Sequence, residues 1–357
     1  MFNPNKIKKI LIVFAAISSV AVSGCITPRS KQQTATLLQA GNATQEELEN
    51  QVDYLAQVTS MRAQMYFKFE DNSYADVGAA EVYKSADSDI VVQRPANIRL
   101  KVEVPVIGSD VAVMTSDGTS FRVAILQDGG SGKNKKFVTG TNSADYSELQ
   151  EKVDDVVKGD SNQVKKSANA FANFRPQHFT GALLVSPIDK TKFLYLLSTT
   201  TTEEVDFKLY KKKDPLGWVL RSYYLLDEFE KTGDGSLKIR RRFWFDRVGT
   251  PLLTRQQIFD DAGEIESDIV YGKRGKVSAE GNYVLPLRVE VTRPKEKYKM
   301  TLSYKNPEGV TIGKQYPETA FQLENEWNLP PLDLDEKLRE LQREKSKGAT
   351  AQENLEP

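Results

Sequence analysis

The alternation of apolar and polar positions divides the chain into one helix and a long succession of strands, flanked by polar ends. Leu48, Val52, Leu55 and Val58 recur at helical spacing, and Thr44 followed by Glu47 supplies a capping box before them. Met61, Ala63, Met65, Phe67 and Phe69 then alternate with Arg62, Gln64, Tyr66 and Lys68. That pattern predicts a long strand with one dry face and one wet face. Shorter strands are expected at 80–83, 90–93, 98–104, 111–116 and 121–126. Residues 143–174 are poor in β-branched runs and are expected to be helical. Strands resume at 182–185, 193–199, 205–210, 219–226, 236–245, 252–260, 264–271, 285–291 and 299–304. Turns such as Asp117-Gly118 and Asp261-Ala262-Gly263-Glu264 join neighbours closely, so the sheet is expected to be antiparallel. About a dozen strands in one sheet must curl or close.

The ends follow a different grammar. Lys6, Lys8 and Lys9 precede an uncharged apolar run at 10–22, the three-part pattern of an export signal. The run ends in Val22-Ser23-Gly24-Cys25, which resembles the lipobox of bacterial lipoproteins. The resemblance implies cleavage before Cys25 and attachment of diacylglyceryl and N-acyl groups to its thiol. Each buried methylene contributes about 0.8 kcal/mol, so two or more chains anchor a protein where one would not. Cys25 is the single cysteine, which excludes an internal disulfide. The expected organisation is a signal peptide at 1–24, an acylated cysteine and polar tether at 25–43, a folded body at 44–330, and a polar C-terminal tail at 331–357.

Charge and chemistry narrow the function. Lys and Arg number 49, as do Asp and Glu, and three lysines leave with the signal. The mature chain is slightly acidic, which argues against nucleic acid as a partner. His178 is the single histidine, so a His-cluster metal site is excluded. Gly129-Gly130-Ser131-Gly132-Lys133 lacks the glycine and hydroxyl residue of a phosphate loop at Gln127 and Asn134. The carboxylate pairs Asp154-Asp155 and Asp260-Asp261 fall in a helix and a turn, with nothing to set them across a cleft. No catalytic residue, metal or further cofactor is expected, and the chain is read as a binding protein. The runs Lys211-Lys212-Lys213 and Arg240-Arg241-Arg242 are solvated faces or contacts to lipid headgroups.

Several segments together resemble one family. Ile90-Val91-Val92-Gln93-Arg94-Pro95 is followed by Ile98-Arg99-Leu100, then by Ser116-Asp117-Gly118 and Phe121. Later come Phe245-Asp246-Arg247, Ile258-Phe259-Asp260-Asp261-Ala262-Gly263 and Leu285-Pro286-Leu287-Arg288-Val289. Their order is similar to that of the outer-membrane lipoprotein carrier and receptor superfamily (LolA/LolB-like), across 46–326. The resemblance implies an α+β fold, a strongly curved, unclosed antiparallel sheet wrapped as a half-barrel around helices, with an apolar cavity for acyl chains of lipids or lipoproteins. Met61, Met65, Phe67, Leu100, Val102, Phe243 and Phe245 are the candidate cavity residues. Pro105-Val106-Ile107-Gly108-Ser109 resembles the receptors' protruding hairpin, which implies that Val106 and Ile107 project into solvent. Ile26 is not the aspartate of inner-membrane retention in the sorting system the family implies, so an outer-membrane site facing the periplasm is expected. The alternative is a structural or assembly lipoprotein that binds protein partners and fills its own interior.

Replacing Cys25 with Ser is expected to abolish acylation and leave the chain unprocessed or unanchored. Metabolic labelling with a clickable fatty acid checks this, and label retained on Cys25→Ser overturns the anchor.

Overall fold

The computed structural model describes residues 35–71, 81–104, 109–127, 132, 135–144, 146, 149, 177–206 and 217–353. Cys25, Val106, Ile107, the lysines 211–213, most of the glycine-rich loop and nearly all of the expected helical stretch lie outside them.

Helix α1 (Gln45–Ala56) begins as its sequence dictates: Thr44 Oγ1 accepts from Glu47 N at 3.2 Å, and Glu47 Oε2 accepts from Thr44 N at 2.7 Å. The strands are β1 (Thr36–Leu37), β2 (Ser60–Asp71), β3 (Glu81–Gln93), β4 (Asn97–Val104), β5 (Ser109–Ser116), β6 (Ser120–Ile125) and β7 (Lys136–Thr141). Helix α2 (Gln177–Leu183) follows. Then come β8 (Phe193–Val205), β9 (Trp218–Lys231), β10 (Leu237–Asp246), β11 (Leu252–Phe259), β12 (Ile265–Tyr271), β13 (Arg274–Val277) and β14 (Tyr283–Pro286). The chain ends through β15 (Arg288–Arg293), β16 (Tyr298–Tyr304), β17 (Thr311–Ile312), β18 (Pro331–Asp333) and helix α3 (Leu334–Glu353). Among the described residues, no helix is long and apolar enough to cross a membrane.

Two compact units are present. In the smaller one, residues 1–37 and 203–220, β1 runs parallel to Val219–Leu220. The larger one, residues 38–202 and 221–357, carries a wide unclosed sheet. Its strand order is β8-β9-β10-β11-β12-β15-β16-β2-β3-β4-β5-β6-β7-β18, with β17 beside β2 where β16 ends. The sheet is mixed, which corrects the expectation of a purely antiparallel one: β18 lies parallel to β7. Tight turns enforce antiparallel neighbours, but a strand reached by a long connection is free to run either way. β18 is such a strand.

Other departures have local causes. The strands expected at 80–83 and 90–93 are one strand, β3, because the inward Ser88 satisfies its hydroxyl by donating to the Met65 carbonyl at 2.8 Å. The strand expected at 182–185 is the end of α2 and its exit, since a short apolar run does not distinguish helix from strand. His178 accordingly lies in a helix and not in a loop before a strand.

One apolar cluster lines the inner face of the sheet. It takes Leu48, Val52 and Leu55 from α1, Phe179 and Ala182 from α2, and residues from most of the strands between β2 and β16. α1 packs against β11, and α2 packs against β3, β4 and β15. A second, smaller cluster (Val113, Ala124, Phe137, Leu323 and Leu329) covers the other face of β5–β7.

The segment from Pro331, expected as a polar tail, begins in the sheet. Asp333 caps α3 by accepting from Glu336 N at 3.0 Å, and Leu341 is buried. Asp335 accepts from the Tyr146 hydroxyl and from Thr141 Oγ1. Burial alone would raise its carboxyl pKa, but these donors outweigh burial and hold it below the ordinary value. The stabilisation is therefore present above the unfolded value of about 3.9 and lost as pH falls through the lower folded value. Asp335→Asn is expected to cost about 1–2 kcal/mol at neutral pH and nearly nothing in acid. Urea melts at several pH values check the sign, and limited proteolysis is expected to release the C-terminal segment first.

Candidate functional site

The segment 184–190 leaves α2 and leads to β8, its first two residues buried in the apolar cluster and Ser186, Pro187 and Lys190 exposed. Leu184 and Val185 are buried, so the backbone polar groups beside them need partners other than water. Side chains supply them. The Val185 carbonyl accepts from Arg94 Nη2, which also donates to the Ala56 carbonyl, one of the orphan acceptors at the end of α1. Arg241 donates from Nη1 to the Ser186 carbonyl at 2.9 Å and from Nη2 to the Pro187 carbonyl at 3.1 Å. Ile188 N donates to Asp53 Oδ1 at 2.9 Å, and Asp189 N donates to the Tyr195 hydroxyl at 3.0 Å. Lys190 pairs with Glu49 at 2.6 Å. Groups from α1, the β3–β4 turn, β8 and β10 thus clasp one short piece of backbone.

The centre of the clasp is a buried ion pair. Arg241 Nε donates to Glu228 Oε1 at 2.8 Å, Nη2 donates to Oε2, and the Tyr195 hydroxyl donates to the same Oε2 at 2.6 Å. Glu228 is 2% exposed. Burial raises the pKa of the Tyr195 hydroxyl, and the Glu228 carboxylate raises it further. Arg94, whose hydrogen bonds go to carbonyls, is pushed the other way, first by burial and then by the positive charge of Arg241.

The seven candidate cavity residues share one apolar cluster. Met61, Met65 and Phe67 lie on β2, Leu100 and Val102 on β4, and Phe243 and Phe245 on β10, and all are at most 3% exposed. Between α1, α2 and the sheet lies a void of about 20 Å³. It is lined by others, among them Leu55, Leu183, Val185, Tyr271, Leu285 and Tyr304. The outward arginines of the basic run have carboxylate partners: Arg240 pairs with Glu230 and Asp261, and Arg242 with Asp227. Sequence reasoning missed Arg241, although Phe243 and Phe245 two and four residues on mark its inward parity. It also missed Glu228, Tyr195 and Asp53. Among the described residues, no group of three or more His, Cys, Asp and Glu side chains is placed to hold a metal ion.

No family model and no curated protein matches the chain. Solved structures similar to it include a DUF1329 family protein from Desulfovibrio piger, at 12% identity and a TM-score of 0.39, covering 77% of this chain and 95% of that one. A LolA superfamily protein from Nitrosomonas europaea matches at 8% identity and a TM-score of 0.38, covering 77% and 97%. An outer-membrane lipoprotein-sorting protein domain from Vibrio parahaemolyticus matches at 9% identity and a TM-score of 0.31, with the same coverage. Likenesses at this level leave function to be read from the chain's own residues.

The clasp predicts strong coupling. Removing one partner of a buried ion pair strands the other, which costs about 3–5 kcal/mol, while replacing both by apolar residues costs far less. Glu228→Leu and Arg241→Met are each expected to be strongly destabilising, and the double variant less so than the sum of the two. A double-mutant cycle in urea measures this, and simple additivity would exclude the pair as the organising contact.

Proposed function

We propose that the larger unit binds an acyl chain of a lipid or lipoprotein between its curved sheet and the helices it enfolds. The chain would do so as a lipoprotein anchored through Cys25, in lipid or lipoprotein trafficking at the outer membrane. The observation that carries this reading is the reach of α2. A helix of 7 residues is about 10 Å long, yet it packs against both β4 and β15. Those strands are four spacings apart in the sheet order, about 19 Å at about 4.8 Å each. A flat sheet would hold one of them out of reach, so curvature toward α2 accounts for the contacts.

The inner face suits a flexible guest. Met61, Met65, Met114 and Met300 all contribute to it, and methionine adapts its shape at little cost. A long acyl chain does not fit a void of about 20 Å³, so it must displace the α2 segment. Each hydrogen bond of the clasp contributes about 0.5–1.5 kcal/mol net, because water replaces it on opening. Burying an acyl chain contributes on the order of 10 kcal/mol before ordering costs, enough to offset several such bonds.

A second reading is a structural or assembly lipoprotein with a permanently filled interior. The small void favours it, as do Leu194 and Leu196, both 47% exposed on β8, which would suit a protein partner.

Phe179 discriminates between the two. It is fully buried on α2, with its ring edge-on to Phe67 at 6.1 Å. Phe179→Ala is expected to lower stability by about 3–5 kcal/mol while strengthening the binding of a fluorescent long-chain fatty acid. Mass spectrometry of lipids that co-purify with the Cys25→Ser protein is the direct test. No bound lipid, together with no probe binding by either protein, would leave the second reading.

A further inference from the structure

Arg274 carries a charge that the fold does not satisfy. It opens β13 and stands opposite Pro286 of β14, so the two side chains leave the same face of that ribbon. Pro286, Leu285 and Tyr271 line the interior void. Nε and Nη2 of Arg274 are buried and have no hydrogen-bond partner in the protein. Burial lowers its pKa, only the phenols of Tyr271 and Tyr54 oppose the shift, and among the described residues no carboxylate acts on it. The phenols are engaged elsewhere: Tyr54 donates to the Asn282 carbonyl and accepts from Val284 N, and the Tyr271 hydroxyl lies 3.3 Å from Gln256 Oε1. The other cation facing Tyr271 is Arg241, whose charge is already matched by Glu228.

A partly buried guanidinium with two buried, unpartnered donors and no counter-ion weakens the fold that holds it. Its donors and charge suit a carboxylate or a phosphate, which such groups bind through charge-assisted hydrogen bonds. The void lined by its neighbours Tyr271 and Pro286 is also bordered by Leu55, Leu183 and Leu285, side chains that suit hydrocarbon. We propose that Arg274 receives the anionic headgroup of an amphipathic ligand whose tail occupies the interior between the sheet and the two helices. The tail part of this assignment rests on the acyl-binding reading, and the headgroup part does not.

The test uses the full chain carrying Cys25→Ser, so that its own acyl groups do not compete. The probes are cis-parinaric acid, its methyl ester, and inorganic phosphate. The wild-type interior is expected to prefer the acid over the ester by about tenfold, the scale of one charge-assisted hydrogen bond. Arg274→Met is expected to bind both with the affinity of the ester and to melt at a higher temperature, since an unpaired charge has gone. Arg274→Lys is expected to keep a preference for the acid. Should Arg274→Met fail to fold, Arg274→Gln replaces it in the same comparison. Stabilisation of the wild-type fold by phosphate, absent in Arg274→Met, would show that the site takes a free anion as well as a headgroup. Equal binding of acid and ester by the wild type, or a preference that survives Arg274→Met, overturns the assignment and leaves Arg274 hydrated only. If neither lipid probe binds, the acyl-binding reading falls, and the phosphate measurement alone decides on Arg274: no shift overturns it.

Discussion

The constraint on which the rest depends is the cover for one very wide apolar face. Inward residues from most of the strands between β2 and β16 form a single cluster, and the helices that contribute buried residues to it from the described chain are α1 and α2, of 12 and 7 residues. Helices of about 18 and 10 Å do not cover a sheet of this width if it stays flat. Bending brings distant strands onto one small helix, as the contacts of α2 with β3, β4 and β15 require. A bent sheet narrows the space over its inner face, and the groups that enter that space are drawn away from water.

The clasp follows from that dryness. An irregular segment normally runs over the surface, where water satisfies its backbone. Segment 184–190 starts buried at Leu184 and Val185 and reaches solvent at Ser186 and Pro187, and the carbonyl and amide groups on its inward side would be orphaned without help. Long side chains provide that help, and Arg241 shows why arginine is used. Its planar fork holds Glu228 on one edge and still reaches the Ser186 and Pro187 carbonyls. Glu228 is the counter-charge that makes a buried guanidinium tolerable there. A buried pair is weak evidence of net stability, and what is visible here is that its arginine holds the segment at Ser186 and Pro187.

How much of this was legible depends on how far side-chain parity could be followed. The strict alternation from Met61 to Phe69 gave β2 and its dry face, and Thr44 with Glu47 gave the start of α1. Strands β4 to β6, β10 to β12 and β16 were readable for the same reason. Parity failed where residues broke the pattern without breaking the strand, as at Ser88. β7 was missed, since Lys136-Phe137-Val138-Thr139-Gly140-Thr141 offers only two apolar residues in a row. Around Phe193-Leu194-Tyr195-Leu196-Leu197 every position is apolar or aromatic, so the sequence does not say that Tyr195 faces in while Leu194 and Leu196 face out. The clasp was hidden for another reason: its targets are backbone carbonyls, which leave no trace in residue type. Arg241 did leave a trace, because Phe243 and Phe245 on the same strand share its parity, but it was read only as part of a basic run.

A filled interior and the proposed acyl guest would be compatible because the exchange would be of like for like. In the proposed exchange Phe179, Ala182 and Leu183 would leave the apolar face as methylenes of the guest arrive, so the area removed from water would change little. The balance then rests on the polar terms. Opening loses the bonds of Arg94 and Arg241 to carbonyls, which water restores in part. Under the proposal, Arg274 would add a term of the opposite sign, since its two unpartnered donors weaken the closed state and an anion would give them a partner. A neutral chain would have to displace α2 on hydrophobic burial alone, whereas an anionic amphiphile would also supply the partner that Arg274 lacks. The same charge that weakens the empty protein would thus bias it toward one class of ligand and one orientation of it.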